Sequence, residues 1–454
     1  MATSAVAGPD AGPRPEAGLL DRLLRVFGDV QAGESVTAVL MLTNIFLILA
    51  GYYIAKTVRE PLILASGGAE AKSYAAAGMA LVLMGFIPLY SWFASKVDRI
   101  RLIFGLLLFF IVNIEMFWLG AHLGVPYLGV AFFIWVGIFN NAIVAQFWSY
   151  GNDVYRPDVG QRLFPVIGIG ATLGSPVGSW MAAQLFRAGV SAYNMLQITA
   201  VILVISMGLF ALVERREGVR RARGGAPTSR LEAGSGGFVL IGRSHYLRLI
   251  ALLIVLLNLV NTTGEYILGR VVVMQAARLS ASRPDFHEEA FIGAFYGEYN
   301  FWVSIGAIVI QALLVSRIVK HLGLAGAVLA LPIVALGAYG SIVTGAAFLS
   351  TIRWAKTAEN ATDYSVMNTA RQMLWLPTRR EEKYKAKQAM DTFVVRAGDV
   401  LSAGFVYVGT TLLALDTRGF AGTNLLLIGL WLVTAVLLIR ENRALTGRVA
   451  GAPR

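Results

Sequence analysis

The chain has 454 residues, 56% hydrophobic and only 15% charged, with a mean hydropathy of +0.64, which excludes an ordinary soluble enzyme. Its net charge of +12 would point to nucleic acid in a soluble protein, but the basic residues lie in short segments between apolar runs, the positive-inside pattern of membrane proteins, so no nucleic-acid partner is expected. No cysteine is present, and the four histidines, His122, His245, His287 and His321, lack ligand spacing, so neither a metal site nor a cofactor is expected.

Residues 1–33 mix Pro9, Pro13 and Pro15 with Asp10, Glu16, Asp21 and Asp29. They have neither a signal peptide's apolar core nor a transit peptide's lack of acids, and read as a cytoplasmic tail. Apolar runs able to cross roughly 30 Å of hydrocarbon follow near 36–64, 73–94, 102–120, 125–149, 163–186, 194–213, 247–275, 290–316, 323–343, 345–375, 388–414 and 421–439. The pattern predicts an all-α integral membrane protein of about 12 transmembrane helices in two six-helix halves, 34–213 and 247–440. A basic cytoplasmic linker over 214–246 joins them, and 441–454 forms a second cytoplasmic tail.

The tenth run is interrupted by Arg353, Lys356, Glu359, Asp363 and Arg371. It must still cross: with a cytoplasmic amino terminus, about 26 of the 39 Lys and Arg fall in alternate connections and about 5 in the others. Arg317 and Lys320 share the basic side with the stretch from Arg379 to Lys387, so two spans separate them. Ser95 to Arg99 after the second span and Ser316 to Lys320 after the eighth form a weak repeat, as in transporters built from two related halves.

No stretch matches the phosphate-cradling GxxxxGK[ST] loop, and Gly168-Ile169-Gly170 lacks the strand-turn-helix setting of a dinucleotide site. No ATP hydrolysis and no enzyme activity are expected. Gly170, Gly174 and Gly178 recur every four residues beside Pro176, a small-residue face for close helix packing. The stretch Gly170 to Ser179 also resembles the fifth-helix motif of antiporters of the major facilitator superfamily, and Asp98 to Arg101 incompletely resembles that superfamily's loop between helices two and three.

A charge at membrane depth costs a few kcal/mol on insertion scales (roughly +2.5–3.5), so each one is expected to face a partner, a cavity or a substrate. Lys56, Arg59 and Glu60 cluster on the first helix; their alternative is snorkelling to the interface. Asn258, Asn261, Thr262, Thr263, Glu265 and Arg270 give the seventh helix a polar middle, which in the bland reading only bonds helices together. Arg353, Lys356, Glu359 and Asp363 share one side of the tenth helix, predicted to be wet. Asp391, Arg396 and Asp399 fall in the eleventh, where the last two can form a closed structural pair. Glu115, Asn140, Asn141 and Glu298 are lesser candidates. A cavity with both signs of charge suits an anionic small molecule, and arginine suits phosphate or carboxylate.

Tyr52 to Glu60, within Leu42 to Arg99, resembles the first two helices of the nucleotide transporter family that includes the ATP/ADP translocases of intracellular bacteria and plastids. Phe147 to Asn152 with Arg162 to Pro165 and Gly168 resembles that family's fourth-to-fifth helix junction. Asn261 to Glu265 resembles its charged seventh helix, and Tyr364 and Ser365 through Met373, Pro377, Lys385, Lys387 and Asp391 to Gly398 resemble its block over helices ten and eleven. The resemblance implies a divergent bacterial member with a facilitator-like fold that exchanges ATP for ADP, or imports nucleotides, across the cytoplasmic (inner) membrane without hydrolysis.

It carries the family's first-helix positions to Lys56, Arg59 and Glu60 and its seventh-helix glutamate to Glu265. The fourth-helix glutamate has no acidic counterpart, with Asn140 and Asn141 nearby; Asp399 stands for the eleventh-helix lysine, and the seventh-helix lysine is displaced to Arg270. The candidate substrate-binding set is Lys56, Arg59, Glu60, Glu265, Arg270, Arg353, Lys356, Arg396 and Asp399, with nucleotide and lipid bilayer as partners. The alternatives are a proton-coupled carrier of a non-nucleotide solute and a non-transporting membrane partner protein.

Overall fold

The computed structural model describes residues 24, 29–31, 33–94, 96–155, 157–221, 237–345, 348–379, 382 and 386–450. Most of the amino-terminal tail, the middle of the basic connection, Lys385 and residues 451–454 lie outside the described residues.

The described chain is helical. Ser35–Ala94 runs as one helix except at Gly68, where φ is 71° and ψ −172°, a backbone state open to glycine and strained for other residues. Glu60 and Lys72, which 12 steps of straight helix would hold about 18 Å apart, are in contact. The chain therefore folds back at Gly68 into α1 (35–67) and α2 (69–94). Next come α3 (Arg99–His122), α4 (Leu128–Val154), α5 (Pro157–Arg187) and α6 (Ala192–Arg221). After the short helix Gly237–Arg243, α7 (His245–Ser282) opens under a cap in which Ser244 accepts from the Leu247 N–H.

The second half repeats the device. Gly323, with φ 61°, separates α8 (288–322), which passes through a π turn at Gln311–Val315, from α9 (324–343). The tenth helix, α10 (349–374), contains a π turn at Asp363–Met367. The eleventh, α11 (Lys387–Leu412), has π turns at Met390–Val394 and Val408–Leu412, and α12 (Thr417–Ala450) closes the bundle.

Nine helices among the described residues are long and apolar enough to span a bilayer. Two of them are the glycine-broken pairs just described, and the polar α10, about 39 Å long at 1.5 Å per residue, supplies the remaining crossing, so the twelve expected spans are present. Each half has its own core. Phe110, Trp135 and Phe139 stack edge and face in the first, and Tyr266, Tyr339, Phe420 and Trp431 fill the second.

The four-residue glycine ladder packs α5 on α1. A Cβ at Gly170, Gly174 or Gly178 would lie within 2.5 Å of the carbonyl oxygen of Leu42, Phe46 or Ala50 respectively, so only glycine permits this approach.

Candidate functional site

Antiparallel crossings give the bundle two ends. The turn end holds Gly68, the connections at 123–127, 188–191, 283–287 and 413–416, and Gly345 and Phe348 after α9; the linker end holds Arg221 and Gly237, the described residues flanking the basic connection. Contacts between the halves concentrate towards the turn end. There a Cβ at Gly293 or Gly297 of α8 would meet Phe186 or Ala183 of α5, and the Ala192 N–H of α6 donates to Glu289 at 3.1 Å. Arg187 of α5 pairs with Glu298 of α8, which also receives Arg353 of α10 at 2.9 Å.

Deeper in the bundle, a chain of charges crosses from one half to the other. Arg59 reaches the Glu60 Oε1 at 2.6 Å and lies over the Phe133 ring. The Glu60 Oε2 meets the Lys72 Nζ at 2.7 Å, and the same ammonium lies 3.6 Å from the Glu265 Oε2 in α7. Lys72 also donates to the Tyr296 hydroxyl at 3.4 Å and sits over that ring. On the far side, the Glu265 Oε1 accepts from Tyr299 and Asn360, each at 2.9 Å. Glu60 and Lys72 are 2% and 7% exposed. Charges so far from water persist because each has a counter-charge or several donors.

Lys56, one turn before Glu60, has no carboxylate within ion-pair distance among the described residues; its ammonium lies 5.0 Å from the Tyr53 ring centre. It is half-buried within electrostatic range of Glu60, Lys72 and Glu265. Tyr52 connects the halves again, being within range of Arg59, Glu60 and Arg396. Arg396 pairs with Asp399 at 3.4 Å, and Asp399 accepts from Thr262 at 3.2 Å.

The structure thus brings Lys56, Arg59, Glu60 and Glu265 into one cluster, with Arg396 and Asp399 beside it. Lys356 lies behind them on α10, 1% exposed, bonded to Glu359 at 2.9 Å and to the Asn261 side chain at 2.7 Å. Tyr339 donates to the same Glu359 at 3.1 Å. The predicted wet face of this helix is instead buried and paired within the second half, because α7 and α9 supply complementary polar groups.

Two candidates lie elsewhere. Arg270 donates to the Leu415 carbonyl at 2.9 Å, tying α7 to the turn-end connection before α12, and Arg353 belongs to the ion triad with Arg187 and Glu298. Glu115 accepts from Gln197 of α6, and Asn141 donates to the Gly137 carbonyl one turn back. Neither a cavity of about 240 Å³ beside that triad nor one of about 540 Å³ between α2 and α4 near the linker end contains the charged cluster.

The sequence did not point to Lys72, Tyr296, Tyr299 or Asn360. A second span starting at 73 leaves Lys72 in a connection, because Ser66-Gly67-Gly68 looks like a loop; the one-residue fold-back keeps it in the helix. The polar Asn360 beside Glu359 was the available signal for the Glu265 partners.

No protein-family model matches the chain. It is 20% identical over 365 residues to ADP,ATP carrier protein 1 of Chlamydia pneumoniae, 68% of this chain and 66% of that protein. It is 22% identical over 344 residues to the protein of that name from Chlamydia trachomatis, 64% of this chain and 61% of that one. The chain therefore spans just under two thirds of the length of the relatives it matches. Among solved structures it is similar to the nucleoside transporter NupG, with a TM-score of 0.64 at 11% identity over 89% of this chain and 98% of that one. A bacterial homologue of the iron transporter ferroportin in an inward-facing state gives 0.62 at 14% identity over 90% and 98%, and the POT family transporter PepTSo gives 0.61 at 14% over the same shares. At such identities these likenesses establish the fold, major-facilitator-like with two six-helix halves, and the sequence matches make the chain similar to the ADP,ATP carrier proteins over just under two thirds of their length.

Proposed function

We propose that the chain exchanges or imports nucleotides, ATP- or ADP-like anions, across a bacterial cytoplasmic membrane by alternating access, without hydrolysing them. The carrying observation is the buried chain Arg59–Glu60–Lys72–Glu265, which joins both halves about one to two helical turns inside the Gly68 fold-back and has an uncompensated cation, Lys56, beside it. The names of the sequence relatives support the substrate class. Lys56, Arg59, Lys72 and Arg396 set four cations against the carboxylates of Glu60, Glu265 and Asp399. The empty site therefore carries about one positive charge, which is costly to move through hydrocarbon and is neutralised by an anion. That asymmetry favours exchange over return of the empty carrier.

Lys56 and Arg59 contact the anionic groups, with Arg396 across the cleft. Glu60, Glu265 and Asp399 hold the cations when the site is empty, and Lys356 keeps α7 and α10 in register behind them. Arg270 and Arg353 brace the turn end. The packed turn end faces the outside under the positive-inside rule, so the conformation is closed outward.

The test is uptake of labelled ATP into proteoliposomes loaded with ADP, with unloaded vesicles as the control. Uptake that needs internal ADP and is lost in Lys56→Ala is the expected outcome; no uptake by folded protein overturns the nucleotide assignment. Uptake driven by a pH gradient without internal substrate would favour a proton-coupled carrier, the alternative left open by Asp399 standing where the family has a lysine.

A further inference from the structure

The two halves part at the turn end if the protein alternates, and of the bonds that must then break, the buried ion pair identifies the charge that both halves share. Glu60, Arg59 and Lys72 all belong to the first half, on α1 and α2, so their mutual bonds survive the movement. Glu265, Tyr299 and Asn360 all belong to the second, on α7, α8 and α10, and likewise stay together. Within this buried cluster what crosses is Lys72, whose ammonium leaves the Glu265 carboxylate and the Tyr296 hydroxyl and ring; nearer the end, the Tyr266 hydroxyl leaves Glu70, Arg187 leaves Glu298 and the Ala192 N–H leaves Glu289. Among the described residues, Lys72 is the one cation within ion-pair distance of Glu265.

We infer that Lys72 is the latch of the turn end, a positioning residue that closes the empty transporter by sharing its charge between Glu60 of one half and Glu265 of the other. This rests on the alternating-access reading above. The shorter contact, 2.7 Å to Glu60, carries Lys72 with its own half, and the longer one, 3.6 Å to Glu265, is the one that yields. Parting leaves neither carboxylate bare, since Glu60 keeps Arg59 and Lys72, and Glu265 keeps two neutral donors. An anion bound at Lys56 attracts Lys72 and repels Glu265, both of which lie within its range. Loading from the linker end thus weakens the latch, while an empty site leaves it shut.

The chain lacks native cysteine, so single-cysteine accessibility can be read directly. Ala69 is 2% exposed and lies between the halves, its Cβ 3.5 Å from where a Gly269 Cβ would stand. Ala69→Cys is labelled with a maleimide on full-length protein in detergent micelles, where no substrate or membrane sidedness is needed. Lys72→Gln and Glu265→Gln are each expected to speed labelling by roughly fivefold or more, the lower edge of coupling between sites. Lys72→Arg should stay near the parent rate, and Glu60→Gln, which leaves Lys72 facing Glu265 alone, should label no faster than the parent. Unchanged labelling in Lys72→Gln and Glu265→Gln overturns the latch, as does equal acceleration in all four variants, which would report general loosening. If Lys72→Gln fails to fold, Glu265→Gln decides. Because no substrate enters the assay, its failure is separate from failure of the nucleotide assignment.

Discussion

Gly264 explains how one residue organises the second half of the site. A Cβ there would lie 1.9 Å from the Tyr339 hydroxyl and 2.8 Å from the Lys356 ammonium, so only hydrogen at this position lets both groups reach α7. They bond there to the Val260 carbonyl and Asn261. Gly264→Ala should displace both, destabilise the protein by about 1–3 kcal/mol as overpacking does, and abolish transport. The check is thermal melting in detergent with uptake alongside. Gly269→Ala is the control, its nearest neighbours 3.4 and 3.5 Å away, and should melt like the parent. The charges of this region were legible in the sequence because a carboxylate or ammonium inside an apolar run needs a reason. Tyr296 and Tyr299 were not, since a tyrosine in such a run looks like any core aromatic until a carboxylate is seen beside it.

At the level of elements, α1 is held from two sides by different means. Its contact with α5 is backbone to backbone through the glycine ladder. Its contact with α6 is polar, with Ser206 donating to Asn44 at 2.5 Å and Thr199 to the Gly51 carbonyl at 3.4 Å. Gly174→Ala drives a methyl to 2.5 Å from the Phe46 oxygen, and a loss of about 1–3 kcal/mol is expected from melting curves. Gly168→Ala, on the same helix with nothing within 4 Å, should leave stability unchanged. The four-residue spacing revealed the ladder in advance; its partner became evident only in three dimensions. Element ends were harder to read, because Gly68 and Gly323 reverse or bend the chain in a single residue, where apolar periodicity barely falters.

Taken whole, the molecule is two bundles of similar plan and different regularity. Twelve crossings were legible from hydropathy and from the basic side of the connections. The arrangement of α10 was legible only as a necessity of orientation, since its charges hide its apolar face. Among the described residues, the π turns at Gln311–Val315, Asp363–Met367, Met390–Val394 and Val408–Leu412 belong to the second half, and none is found in the first. A π turn interrupts the i to i−4 ladder and often marks a functional position. Amide hydrogen exchange should therefore be faster at these four segments than in the middles of α3 and α4, while uniform protection across both halves would refute a difference in stiffness.

The consequence reaches beyond this conformation. The π turns of α8, α10 and α11 give the second half joints of a kind that the described helices of the first half lack. Under the alternating-access proposal, these joints predict that α8, α10 and α11 bend between states while Lys72 keeps its place beside Glu60 on α1.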